Sequence, residues 1–186
     1  MSRFDVTPTA LAKLVVLTRK QLGDQRGYLE RMFCDTDLAD FLGGKRVRQI
    51  NRTMTAKKGT IRGLHYQRPP HAEVKFISCL RGEVWDVAVD LRHDSPTFMK
   101  FHSEILSADN RKTLMIPEGF AHGFQTLTDD CELLYLHTAS FEASSEGGVS
   151  PFENRISISW PLSVSEISER DKAHAALAQN FEGIVL

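Results

Sequence analysis

The sequence carries almost no surplus of either charge: 23 Lys+Arg stand against 24 Asp+Glu, a formal net charge of −1 over 186 residues. A general nucleic-acid binder neutralises phosphates with a basic excess, so that class is excluded, and any anionic ligand must be met by a few locally placed cations. Cysteine is scarce: Cys34, Cys79 and Cys131 lie far apart and form no CxxC pair. Neither a disulfide framework nor a zinc ribbon follows, and small buried thiols in a reducing compartment, the cytoplasm, are expected. Long apolar runs are absent too. Stretches such as Leu133–Leu136 stop after a few positions, whereas a membrane-spanning helix needs about 20. Residues 1–9 include Arg3, Asp5 and Pro8 with no apolar core, so neither a secretory signal nor a membrane partner is expected. No repeat or linker divides the chain, and the most loop-like stretch, Ala143–Ser150, is too short to separate a pair of domains. One domain over 1–186 is the expectation.

What is present reads mostly as strand. In EVWDVAVDL from Glu83, residues Trp85, Val87, Val89 and Leu91 alternate with Asp86, Ala88 and Asp90, a period of two. Similar segments are Val74–Leu80, Met99–Leu106, Lys112–Ile116, Glu132–Thr138 and Ile156–Trp160, separated by turn signals such as Arg81-Gly82 and Pro117-Glu118-Gly119. Many short strands at this spacing indicate a mainly β sandwich or barrel. Two short helices are expected at its edge. One spans Asp37–Leu42, capped by Asp35 or Thr36 and stopped by Gly43-Gly44; the other follows Ser168 as N-cap into KAHAALA.

Polar groups interrupt this pattern in IRGLHYQRPPHAEVK (Ile61–Lys75) and IPEGFAHGF (Ile116–Phe124), each with a histidine beside glycine. A metal reading requires convergent imidazoles and a carboxylate. Gln67 stands where a second histidine would complete a His-x-His pair with His65, leaving Glu73, His122 and nearby His71. An acid–base reading uses His65 as general base, Lys75 against developing negative charge, Tyr135 as proton donor and Asp171 as the histidine's partner. His137 shares a strand face with Tyr135. Arg62 and His65 have opposite parity, so both reach one cavity only if a bulge intervenes, which Gly63 permits.

With RGLHYQ (Arg62–Gln67), Lys75, GEVWDVAVDLRHDSPT (Gly82–Thr97), IPEGFAHGF, Tyr135, Trp160-Pro161 and Ser168-Glu169-Arg170-Asp171, the chain strongly resembles the RmlC-type epimerases, which act on nucleotide-linked 4-keto-6-deoxyhexoses. The resemblance begins near Asp24–Gly27 and covers most of the sequence. It implies a cupin-type jelly-roll barrel, a homodimer with an exchanged N-terminal segment, a nucleotide-diphosphate sugar as substrate, and neither metal nor redox cofactor. The matching catalytic positions are His65, Lys75, Tyr135 and Asp171. Arg62 and Arg170 match diphosphate-binding positions, Gln49, Asn51 and His122 match further site positions, and Arg26 matches one contributed by a neighbouring subunit.

Three departures bear on substrate. Phe141 replaces a usual tyrosine near the sugar or base, Glu30 lies one place before the usual glutamate (where Arg31 stands), and Phe152-Glu153 replaces Asn-Asp-Pro. They leave the reaction type in place and leave open which nucleotide is used and whether C3, C5 or both are inverted. Two other classes stand beside this reading: a metal-dependent cupin oxygenase or isomerase built on His65, Glu73 and His122, and a non-catalytic sugar-nucleotide binder.

Overall fold

A computed structural model describes residues 2–186. Among them, two facing sheets carry the architecture. The first has the order β1 (Phe4–Pro8), β2 (Val15–Arg19), β10 (Lys112–Ile116), β7 (Lys75–Arg81), β12 (Cys131–His137) and β5 (Gln49–Thr55). The second has the order β13 (Glu146–Gly148), β6 (Thr60–Gln67), β11 (Phe120–Thr126), β8 (Glu83–Asp90) and β9 (Phe101–Ser107), with β14 (Glu166–Ile167) joining β6 in parallel. A separate hairpin pairs β3 (Gln21–Asp24) with β4 (Gly27–Glu30). This is the mainly β jelly-roll architecture expected from the strand spacing and the resemblance.

The period of two in β8 is real, but both of its faces are buried. Val84 and Ala88 point between the sheets with Ile77, Phe124 and Leu133. Val87, Val89 and Leu91 point outward under Ile156, Trp160, Leu177 and Ile184 of the C-terminal segment. The outer face of the other sheet is covered in the same way, with Phe76, Met115 and Leu136 against Leu38 and Leu42. Burial on both sides gives the middle strands their high apolar content.

Three local expectations are corrected. Ile156–Trp160 forms no strand: Ile156 N–H turns back to Glu153, Ser157 adopts φ 56°, and Trp160 packs on Trp85 with ring centroids 5.3 Å apart. The first helix, α1 (Ala39–Leu42), is shorter than expected and has Leu38 at its N-cap without a side-chain bond. Asp35 instead accepts from the Thr36 N–H and Asp37 from the Arg3 N–H, while Gly43 ends the helix in the left-handed conformation as expected. Ser168 does cap α2 (Glu169–Lys172), accepting from the Asp171 N–H at 3.0 Å, but KAHAALA does not continue the helix. Leu177 N–H donates to Glu153 and His174 packs beside His65, so tertiary contacts override local helix propensity.

Cys34, Cys79 and Cys131 are free thiols, and burial pushes Cys79 up to about 12. No helix among the described residues is long and apolar enough to cross a membrane.

Candidate active site

A cavity of about 280 Å³ opens between the sheets. The second sheet contributes Arg62, His65 and Gln67 from β6 and His122 from β11; the first contributes Lys75 from β7, Tyr135 and His137 from β12, and Gln49 and Asn51 from β5. The parity conflict between Arg62 and His65 is resolved by a bulge. His65 pairs with His122 and Arg62 with Phe124, so three steps along β6 match two along β11. Gly63 lies in this bulge at φ 112°, and a Cβ there would approach Gly123 Cα and the His122 carbonyl oxygen to 2.6 Å. Only glycine fits without moving backbone.

His65 and Asp171 meet. His65 Nε2 lies 2.7 Å from Asp171 Oδ1, and the Gly63 N–H donates to Asp171 Oδ2 at 3.1 Å. Burial pushes the Asp171 carboxyl upward, but the hydrogen bonds from His65 and Gly63 outweigh it and hold it below its ordinary value. An ionised Asp171 selects the Nε2–H form of neutral His65 and leaves the Nδ1 lone pair as the basic site.

Lys75 is only 8% exposed, yet its ammonium is held between groups that suit a cation: it donates to the His65 carbonyl at 3.2 Å and lies 3.3 Å from Glu73 Oε1. Tyr135 stands on the facing sheet from His65. Burial, followed by the nearby Asp86 charge, raises its phenol well above the ordinary value, so it enters as a protonated acid. His122 is 5% exposed and its Nε2 lies 2.9 Å from Asp86, which is fully buried. Burial raises the Asp86 carboxyl despite the opposing effect of His122.

The arginines divide. Arg62 and Arg170 line one groove of about 870 Å³, which shares Arg62 and His65 with the cavity. Arg170 is paired with Glu146. Arg26 does not reach the cavity of its own chain; it sits at the exposed tip of the β3–β4 hairpin, paired with Asp24. Phe141 is 55% exposed at the cavity edge, and its N–H donates to Gln49 Oε1.

The alternative metal set does not converge. Glu73 is engaged by His137 and Lys75, and His122 by Asp86. Gln67 is structural, donating to the His71 and Ser140 carbonyls and accepting from the Glu142 N–H. The ligand-type cluster found among the described residues is His65, Asp171 and His174, whose donor atoms lie within 4.8 Å of one another.

Sequence reasoning missed two neighbours of the site, His174 and Asp86, and gave Glu73 and His137 no part in the acid–base set. His174 packs edgewise on His65, and burial lowers its basicity. Asp86, Glu73 and His137 complete two polar clusters around Tyr135 and Lys75. Spacing signals His174, three residues after Asp171, and His137, two after Tyr135. Asp86 and Glu73 carry no local mark of these contacts.

Comparison with known proteins identifies the family. Residues 8–179 match the family model described as dTDP-4-dehydrorhamnose 3,5-epimerase. The Salmonella typhimurium protein of that name is 40% identical over 175 residues, covering 94% of this chain and 96% of its own. The crystal structure of dTDP-4-dehydrorhamnose 3,5-epimerase from Elizabethkingia anophelis superposes with a TM-score of 0.90 at 32% identity, covering 96% of this chain and 99% of that one. The Legionella pneumophila RmlC structure, a complex with dTDP-4-keto-L-rhamnose, gives 0.87 at 35% identity, with 93% and 92% covered. With nearly its whole length matched in sequence and in fold, this chain belongs to the dTDP-4-dehydrorhamnose 3,5-epimerase family.

Proposed function

We propose that this protein epimerises C3 and C5 of a dTDP-linked 4-keto-6-deoxyhexose, as one domain over residues 1–186, in the biosynthesis of a deoxysugar. The observation that carries the proposal is the hydrogen-bonded His65–Asp171 pair on one wall of the cavity, with Tyr135 and Lys75 on the other.

The C4 ketone acidifies the hydrogens at C3 and C5. His65 removes one as a proton, and the C–H electron pair moves into the ring to leave negative charge on the C4 oxygen. Asp171 stabilises the imidazolium that forms, and the Lys75 ammonium stabilises the enolate. The phenol of Tyr135 returns a proton to the opposite face of the same carbon, which inverts it; His65 then gives its proton to solvent and Tyr135 regains one from solvent, which restores both groups. No electrons are gained or lost overall, so His65, Lys75, Tyr135 and Asp171 suffice as acid–base and electrostatic groups.

Arg62 and Arg170 meet the diphosphate, where planar guanidinium groups give bidentate contacts. Gln49, Asn51 and His122 complete the binding surface, with Phe141 at its edge. Leu22, Tyr28 and Leu29 on the β3–β4 hairpin are exposed apolar side chains beside Arg26. Covering them against a second copy, with the N-terminal segments exchanged, supports a homodimer in which Arg26 serves the partner's site. The three free thiols suit a reducing compartment such as the cytoplasm.

The test is proton exchange at C3 and C5 in deuterated water, followed by NMR on dTDP-linked 4-keto-6-deoxyglucose. Exchange and inversion at both carbons are expected. Exchange at one carbon alone would redefine the enzyme as a single-site epimerase, and none on either dTDP- or CDP-linked substrate would overturn the reading.

A further inference from the structure

A chain of polar contacts crosses the cavity beneath Lys75. Gln49 Nε2 donates to Asn51 Oδ1 at 3.3 Å, and Asn51 Nδ2 lies 3.5 Å from His137 Nε2. His137 Nδ1 lies 2.8 Å from Glu73 Oε2; the other carboxylate oxygen of Glu73 lies 3.3 Å from Lys75 Nζ, which donates to the His65 carbonyl. One proton arrangement satisfies the whole run: Asn51 donates to Nε2, Nδ1–H donates to Glu73, and Lys75 donates to Glu73 and to His65. His137 also lies flat against Tyr135, with ring planes 4° apart and centroids at 5.9 Å.

We propose that His137 is a positioning residue for the proposed epimerisation: through Glu73 it holds the Lys75 ammonium at the enolate oxygen, and by stacking it fixes the Tyr135 ring. This role rests on the one given to Lys75 above. Both ring nitrogens of His137 face protein groups, so it acts through its neighbours. Glu73 is 8% exposed and is kept ionised against its burial first by the His137 hydrogen bond and then by the Lys75 charge. Without the Nδ1–H donor, the carboxylate loses the contact that orients it, and Lys75 loses its fixed counter-ion. A lysine has four flexible side-chain bonds and needs such a partner to hold one position in a cavity. The enolate forms only during the reaction, so a displaced ammonium lowers turnover and leaves substrate binding almost unchanged.

The test uses full-length enzyme and three variants. His137→Phe keeps the stack on Tyr135 but removes the donor; His137→Asn restores a donor at the Nδ1 position; Glu73→Gln removes the carboxylate charge. His137→Phe is expected to lower kcat about 10-fold with KM changed less than about 2-fold, and His137→Asn, which restores the donor but not the stacked ring, to recover part of the loss. In the Glu73→Gln background, His137→Phe should cost less than about 2-fold more, since the two act along one path. Melting temperatures of all variants accompany the kinetics. An active wild type with unimpaired His137→Phe, a loss confined to KM, or full additivity with Glu73→Gln would overturn the inference. No turnover by the wild type would instead overturn the epimerase reading beneath it.

Discussion

The Asp171 carboxylate holds β6 at two points: one oxygen lies 2.7 Å from the His65 imidazole Nε2, and the other accepts from the N–H of Gly63, two residues earlier on the same strand. The carboxylate therefore fixes the ring and the bulge that aims it. Ser168 fixes Asp171 in turn by accepting its N–H at the start of α2.

Asp171→Asn tests the first of these contacts. The amide is nearly isosteric but cannot stabilise an imidazolium. It should lower kcat at least about 100-fold while KM stays within about 3-fold, since general-base catalysis is commonly worth 10² to 10⁴. Steady-state kinetics with isotope exchange at C3 and C5 measure both quantities. A loss confined to KM would remove Asp171 from the chemistry.

Tyr135→Phe should separate deprotonation from inversion. His65 still removes and returns a proton on its own face, so exchange into deuterated water continues while net inversion falls at least about 10-fold. NMR of the recovered sugar reads both, and loss of exchange in parallel with inversion would contradict the two-face assignment.

Gly63→Ala should be costly. The added Cβ meets backbone on β11, and φ 112° is a region alanine rarely adopts. A loss of about 3 kcal/mol is expected from strain and displaced strand pairing, measured by denaturant unfolding. A variant as stable as the wild type would show that β6 relaxes without the bulge.

Arg62→Ala and Arg170→Ala should weaken dTDP binding, each by about 10-fold, and Arg62→Lys should recover only a fraction of the loss, because a point charge replaces a bidentate donor. Calorimetric titration with dTDP checks this, and sensitivity to salt should fall with each arginine removed.

Acid stability follows from the carboxylates. Asp171 and Glu73 titrate below their ordinary values in the folded protein. Each therefore contributes stability that is present above its unfolded value and lost as pH falls through the folded one. Asp86, raised by burial, has the opposite sign: its contribution is lost as pH rises from the ordinary carboxylate value to the raised one. Melting temperature should drop as pH falls below the ordinary carboxylate values of 4.5 and 3.8 and through the lowered folded ones, and the drop should be smaller in Asp171→Asn and in Glu73→Gln than in the wild type. An unchanged slope in both variants would show that these groups do not govern the acid limb.

The sequence by itself determined the β class, most strands in the middle of the chain and the bulge at Gly63, while the acid–base groups are proposed from the family resemblance. The first three rest on local rules: alternation along a strand, turn residues between strands, and a parity conflict that one glycine resolves. Local rules failed where partners are distant. Ile156–Trp160 has strand composition, but its apolar side chains are drawn over β8 as a covering layer. KAHAALA has helix composition, but Leu177 and His174 are held by residues far along the chain. Only the tertiary structure decided that Asp171 reaches His65, that Glu73 and His137 brace Lys75, and that Asp86 underlies His122. Such pairings depend on which strands face each other across the barrel, and burial then makes each of them matter, because an unpaired charge inside the cavity would be too costly to keep.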